Sequence, residues 1–595
     1  MKAPCDESVI QSETAPSPCR PAPLGAWVLA ATILGSSMAF IDSTVVNVAL
    51  PALQSAFNAS LVSVQWVVEA YGLSLAALIL VGGSTGDLFG RRRMFLLGVA
   101  VFAVASAGCG LSSSVAQLIA ARAVQGIGAA FLVPGSLALI SASFEESERG
   151  QAIGTWSGST AITTAIGPVL GGWLIEHLSW RWAFFLNLPL AAAVVAIGLW
   201  CVPESKSRQQ GRIDWLGAAA ITVSLTGLVF GFVESPRLGW THPLVLASLA
   251  AGVVGWAAFQ RIETKVPSPM VPLNLFRSRA FSGANLLTLS LYAAFGIFFF
   301  LLPLNLIQVQ GYSPTAAGAA VLPLILLMFL LSRWSGGLVA RYGARLPLIV
   351  GPVITAFGFS LFAAPGLGGS YWSTFFPAVV VLGLGMAVSV APLTTVVMNS
   401  VNQDHVGTAS GINNAVARVA GVLAIAVFGV AMVVAFSGHL NRRLASVTMP
   451  PEVRTALQAN EIKLAALAPP AGLAPATAAA IESSIATSFV FGFRLLMSIC
   501  AALALASAAV AWRMIPPRSP VNRGVAAPAV RAPYGFEQAY TPVGMDRRSV
   551  LKALGLLAGA AALEGCAARE SRSPGEPGTW PAARLTTPER KILRS

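Results

Sequence analysis

Fourteen apolar segments, each long enough to cross a bilayer, follow one another between residues 25 and 513. They fall near 25–50, 63–83, 94–111, 115–140, 151–174, 183–202, 215–233, 243–260, 282–306, 316–340, 346–366, 373–398, 407–436 and 487–513. Inside lipid a chain has no water to bond its N–H and C=O groups, so segments of about 20 residues become helices. Only 10% of the 595 residues are charged, against about 25% in soluble domains. The expectation is an all-α polytopic membrane protein with 14 transmembrane helices.

Charge placement sets the expected orientation. Short basic loops stay on the cytoplasmic side, and Arg91–Arg93, Arg149, Lys206, Arg208, Arg212, Arg261, Lys265, Arg277, Arg279, Arg341 and Arg345 fall in loops of one side. An even number of spans then leaves both termini cytoplasmic, in the cytoplasmic (inner) membrane of a bacterium. The same loops, with the carboxy-terminal tail, account for the net charge of +14, so no nucleic-acid partner is implied. The six cysteines include no C-x-x-C pair, and His177, His242, His405 and His439 read as loop residues. That argues against an intramembrane metal site and against a histidine-based membrane enzyme. No G-x-x-x-x-G-K-[ST] loop is present, which argues against ATP-driven transport.

Between the second and third spans lies Gly83–Arg93, GSTGDLFGRRR. Gly83, Gly86 and Gly90 permit a tight turn or close helix approach. Asp87 is placed to pair with Arg91 or its neighbours, or with a helix N-terminus. The loop resembles the signature G-x-L-a-D-r-x-G-r-r of the major facilitator superfamily, with Thr85 and Leu88 departing from it. Gly336–Arg345 repeats the pattern at the end of span ten, with Ala340 where the acid would stand. A decayed repeat of that kind fits two duplicated six-helix bundles.

In the first bundle three ionisable residues stand inside apolar helices, where charge is costly and usually functional. Asp42 lies in Asp42-Ser43-Thr44-Val45-Val46-Asn47-Val48-Ala49-Leu50-Pro51, which resembles the D-[ST]-T-x-V-N-V-A-L-P element of fourteen-span antiporters. Glu69 lies in Gln65-Trp66-Val67-Val68-Glu69-Ala70-Tyr71, where the family commonly has a neutral residue; it is either a second proton or cation site or a partner of Arg122. Arg122 lies in a stretch matching L-x-x-x-R-x-x-Q-G-x-G-A-A and stays cationic. At a rise of 1.5 Å per residue, all three sit roughly 9–12 Å below the outer ends of their spans, so packing is expected to gather them into one proton-coupling or substrate cluster.

Span five carries Gly167-Pro168-Val169-Leu170-Gly171-Gly172, which resembles the G-P-x-x-G-G motif of exporters. Pro168 removes a backbone hydrogen bond, and Gly167, Gly171 and Gly172 allow bending and close contact, as a seal requires. With Gly83, Asp87, Gly90 and Arg91 these form the expected conformational gate. The resemblance further implies that Asp87 faces the N-terminus of the penultimate span near Gly407–Ser410, closing the inner face. Arg418, deep in span thirteen, is expected to have a structural partner.

Two extra central spans complete the resemblance to the fourteen-span drug:proton antiporter family. It implies a tail at 1–24, a six-helix bundle at 25–205, two linker spans at 206–268, and a second bundle at 269–515 with a long outer loop at 437–486. The remaining 516–595 read as a cytoplasmic tail whose segment 545–566 is similar to a twin-arginine lipoprotein signal, a fused start of another coding sequence without a role in transport. The resemblance implies a secondary transporter, not an enzyme: a proton-coupled exporter of amphipathic, often cationic drugs working by alternating access. The alternatives are a dedicated exporter of one endogenous metabolite or antibiotic, or a nutrient symporter. Its partners would be protons, a small-molecule substrate and the lipid bilayer, without cofactor or metal; a periplasmic adaptor and an independent monomer both stay open.

Overall fold

The computed structural model describes residues 24–517 except 145, 207–212, 268, 403–405 and 471. The amino-terminal tail, His405 and the signal-like segment 545–566 lie outside the described residues. All elements among the described residues are helical, and 14 spans are long and apolar enough to cross a membrane. The first six crossings are α1 (Leu24–Phe57), α2 (Leu61–Phe89), α3 (Arg91–Leu111), α4 (Val115–Ser143), α5 (Glu146–His177), and α6 (Trp182–Phe185) with α7 (Asn187–Cys201). A hairpin follows, α8 (Trp215–Leu238) and α9 (Pro243–Glu263). The last six are α10 (Arg279–Leu304), α11 (Pro314–Ala319) with α12 (Leu322–Tyr342), α13 (Arg345–Phe362), α14 (Tyr371–Thr374) with α15 (Phe376–Asn399), α16 (Val406–Leu444) and α18 (Pro475–Met514). The short α17 (Pro451–Ala459) stands between α16 and α18.

Local sequence explains where the helices start. A side-chain oxygen that accepts a first-turn N–H satisfies one of the orphan donors there. Ser60 does so for α2, Ser114 for α4, Asp214 for α8 and Ser278 for α10, at 2.8–3.3 Å. Gly90, at φ +113°, supplies the backbone turn that separates α2 from α3.

Lipid gives helices no hydrophobic reason to associate, so they pack where small residues let backbones meet. A Cβ on Gly82 of α2 would stand 1.9 Å from the Ala130 carbonyl oxygen of α4. Gly126 likewise faces the Tyr71 carbonyl at 2.4 Å, and Gly128 the Phe102 amide at 2.6 Å. These contacts tie α2, α3 and α4 together, while α1 packs on α5 and α7. In the later part of the chain α10 packs on α16 and α18, and α13 on α15 and α18. The α8–α9 hairpin closes on itself through Gly227 and Gly255 and lays α8 against both α2 and α16. At its foot Glu263 accepts the Val271 N–H at 3.1 Å, fixing the hairpin to the segment that leads into α10.

Two helices outrun the membrane. The 39 residues of α16 and 40 of α18 reach roughly 60 Å, about twice a hydrocarbon core. The interval 437–486, expected as a long outer loop, is therefore mostly helix, because its polar stretch leaves the bilayer before the helical pattern ends. His439, expected in a loop, lies inside α16, its ring stacked on Phe491 and its Nδ1 3.0 Å from Ser488 Oγ. Between α17 and α18 the chain buries Leu464 and Leu467 beneath this projecting layer.

Gly82→Val should lower the thermal unfolding midpoint in detergent by several degrees, since overpacking costs ~1–3 kcal/mol. Gly438→Ala, at a helical glycine with open space around it, should leave the midpoint unchanged or slightly raised. Equal midpoints for Gly82→Val and wild type would show that α2 and α4 part without penalty.

Candidate functional site

The innermost charges form one hydrogen-bonded network. Asp42 of α1 is fully buried and Arg122 of α4 nearly so. Arg122 Nη1 donates to Asp42 Oδ2 at 2.5 Å and to Gln125 Oε1 at 2.7 Å, while Nε donates to the Val67 carbonyl at 3.1 Å. The i, i+3 spacing places Arg122 and Gln125 on one face of α4. Gln125 Nε2 returns to Asp42 Oδ1 at 2.9 Å, and Asn187 Nδ2 reaches the same oxygen at 3.4 Å. Ser106 accepts from Gln125 and Asn187 and donates its own O–H to the Phe184 carbonyl at 2.8 Å. The Tyr71 ring lies 4.2 Å from the guanidinium carbon. Helices α1, α2, α3, α4 and α7 thus each contribute to a single ion pair.

Such a network has a definite chemistry. Charges in low dielectric attract strongly, and every remaining lone pair must be satisfied for the pair to persist. The arginine stays charged, so a proton that enters must go to the carboxylate, and its arrival removes half of the pair.

Sequence reasoning put Asp42 and Arg122 together and missed Gln125, Asn187, Ser106 and Tyr71. Gln125 was legible, since R-x-x-Q repeats one helix face. Asn187 stood in a plain Phe-Phe-Leu-Asn-Leu-Pro run, and Ser106 and Tyr71 left no signal.

Glu69 does not join the cluster. It is 1% exposed, and neither carboxylate oxygen has a hydrogen-bond partner. Its neighbours on the helix explain why. Gln65, one turn before it, donates to the Ile425 carbonyl of α16 at 2.9 Å, and Gly72, three residues after it, packs against Val422. Glu69 therefore sits on the α16 side of α2, whereas Val67 and Tyr71 turn toward Arg122. The expected triad is an ion pair plus a separate buried acid, and the pairing of Glu69 with Arg122 is not made.

The G-P-x-x-G-G segment lies at a backbone seam. Gly167 and Gly171 face Thr44 and Val45 of α1. A Cβ on Gly172 would stand 2.3 Å from the Pro314 carbonyl oxygen, and one on Gly318 would stand 2.1 Å from that of Pro168. Glu176 extends the seam, accepting from Thr315 N at 3.2 Å and Thr315 Oγ1 at 2.5 Å. On the same face Gln308 donates to Gln54 at 2.8 Å, Gln54 to the Lys463 carbonyl at 3.3 Å, and Lys463 Nζ to Asn58 at 3.0 Å. The early and late helices are bonded together there.

The arginine-bearing face is arranged differently. Asp87 accepts from Arg91 Nε at 2.9 Å and, among the described residues, makes no hydrogen bond to Gly407–Ser410. Arg91 sits one turn after Asp87, so the acid has a nearer cation. Glu204 accepts the Arg92 and Arg93 amides and fills the space beside Gly90. Gly83 makes only ordinary contact with Pro134, and the tight approach falls on Gly82. Arg418, expected to be paired, has no hydrogen bond or ion pair among the described residues.

Residues 32–425 match the family model for the Major Facilitator Superfamily. The chain belongs to the major facilitator superfamily. It is 35% identical over 493 residues to the tetracenomycin C resistance and export protein of Streptomyces glaucescens, covering 81% of this chain and 90% of that one. The multidrug resistance protein Stp of Mycobacterium tuberculosis is 36% identical over 438 residues, 72% of this chain and 80% of that one. A crystal structure of a bacterial homologue of the human lysosomal transporter Spinster shares the fold at 19% identity, with a TM-score of 0.57 over 84% of this chain and 100% of that one. As a superfamily member this is a multi-pass membrane transporter of small molecules, not an enzyme.

Asp42→Leu and Arg122→Leu should each destabilise by about 3–5 kcal/mol, because either leaves an uncompensated buried charge. The double variant should cost clearly less than both together. Denaturation in mild detergent across the four proteins checks this, and strict additivity would mean the pair is not coupled.

Proposed function

We propose that the protein is a proton-coupled exporter that moves amphipathic, often cationic drugs or antibiotics out across the bacterial cytoplasmic membrane by alternating access. The observation that carries this reading is the buried ion pair of Asp42 with Arg122, held in a satisfied network inside the membrane. Protonation of Asp42 would free Arg122 from its anion and loosen α1 from α4, joining proton arrival to helix movement. Glu69, buried without partners against α16, would hold a second proton while early and late helices stay in contact.

The two faces supply the gates. The arginine-rich loop lies on the cytoplasmic side, by the charge rule, with both termini. The α5–α11 seam of Gly167, Pro168, Gly171 and Gly172 is then the outer gate. Gly83, Asp87, Gly90 and Arg91 form the inner one, with Asp87 leaving Arg91 for the α16 terminus when that side closes. Helices 25–205 and 269–515 act as the two rocking bundles and 206–268 as a linker. The chain works as a single subunit. Tetracenomycin C resistance in the Streptomyces glaucescens relative favours a second reading in which one compound is the principal cargo.

Everted vesicles containing the full chain test the coupling. Addition of a cationic dye should release protons from wild-type vesicles, and Asp42→Asn should reduce that release at least tenfold while insertion stays normal. Release that survives Asp42→Asn and disappears in Glu69→Gln moves the coupling acid to α2. No release with any dye, in correctly inserted protein, would sink the multidrug reading in favour of the single-compound one. Truncation before residue 530 should leave transport unchanged; a loss of transport without a loss of insertion would give the tail a role.

A further inference from the structure

Among the described residues Arg418 is a cation with no anion. It lies 12 residues into α16, roughly 18 Å from that helix's arginine-face end and so well within a hydrocarbon core about 30 Å thick. A charge at that depth is expensive and is kept where it serves a path or a ligand. Arg122, at similar depth, has an acid, a glutamine and a backbone carbonyl. Arg418 has no hydrogen bond or ion pair among the described residues, and it is partly exposed.

Its surroundings are central and aromatic. The guanidinium carbon stands 5.8 Å from the Phe40 ring centre on α1. A ring from the early part of the chain thus faces one unneutralised cation of the late part. Asp42 of α1 is already engaged by Arg122, and Glu69 of α2 makes no hydrogen bond or ion pair with Arg418. Meanwhile α16 is pinned on both sides of Arg418: Gly421 meets Gly296 of α10, and Asn413 donates to Asn285 and Thr288 at 3.1 and 2.7 Å. The backbone is fixed and the head group is free, which is the arrangement of a recognition point rather than of a structural strut.

We propose that Arg418 is an anion-recognising subsite of the central path, so that the carrier also accepts planar aromatic molecules bearing a carboxylate or an acidic hydroxyl. A planar guanidinium bonds carboxylate oxygens in pairs, and the Phe40 ring beside it offers a face to an aromatic body. The acids of the path point to cations, and this subsite adds the opposite class. It rests on the exporter reading for its purpose, but binding can be read without transport.

The test uses the full-length protein in detergent, with fluorescein as the anionic planar probe and ethidium as the cationic one. Fluorescence anisotropy should show fluorescein binding weakened ten- to a hundredfold by Arg418→Gln, as expected for a lost charge-assisted hydrogen bond, and less by Arg418→Lys. Ethidium affinity should stay within about twofold in both variants, which also reports that each is folded. Equal weakening of both probes would reduce Arg418 to a structural residue. Unchanged fluorescein binding, or none by the wild type, would overturn the subsite outright. Fluorescein bound by the wild type but never moved into everted vesicles would instead count against the exporter reading and leave the subsite standing.

Discussion

The guanidinium of Arg122 can neither lose its proton nor reach water, and much of the first part of the molecule follows from that. Its charge demands Asp42, and Asp42 has a second oxygen that demands Gln125 and Asn187. Asn187 in turn fixes α7, and Ser106 fixes α3. Each donor is committed, so the helices that present them cannot be exchanged or rotated without stranding a buried polar group. Stranding is expensive where no solvent can replace the partner. The ion pair adds little to stability beyond what an apolar pair would give; it specifies one arrangement of five helices.

Around this centre, packing is achieved by absence of side chain. Gly82, Gly126 and Gly128 bring α2, α3 and α4 to backbone distance, and van der Waals contact then replaces the hydrophobic drive that lipid removes. The later helices add bulk to such contacts, with Phe295, Phe298, Phe359 and Phe362 packed tilted or edge to face across α10 and α13.

The architecture was legible because the bilayer imposes length and hydropathy on every span, and the fourteen spans stand where the apolar runs put them. Asp42 and Arg122 were legible because a charge in an apolar helix needs a partner of opposite sign. Glu69 was misplaced by depth alone, since rise per residue fixes height but not azimuth; only Gln65 and Gly72 show which way α2 faces. Ser106 and Tyr71 were invisible, as a serine or tyrosine in an apolar helix carries no sign of what it will meet. The helical extension of α16 past its apolar run was hidden for a related reason: hydropathy marks where lipid ends, and a helix does not stop there.

A carrier driven by protons, as proposed for this chain, must also refuse them passage, and the α5–α11 seam bears on that refusal. Where Gly172 meets Pro314 and Gly318 meets Pro168, main chain lies on main chain and no side chain intervenes. A proton crosses protein along files of water or relays of titratable groups, and this stretch offers room for neither. The contact works as insulation. A methyl group at either glycine would stand 2.1–2.3 Å from a carbonyl oxygen of the other surface, and the shift needed to relieve that clash would loosen the insulation.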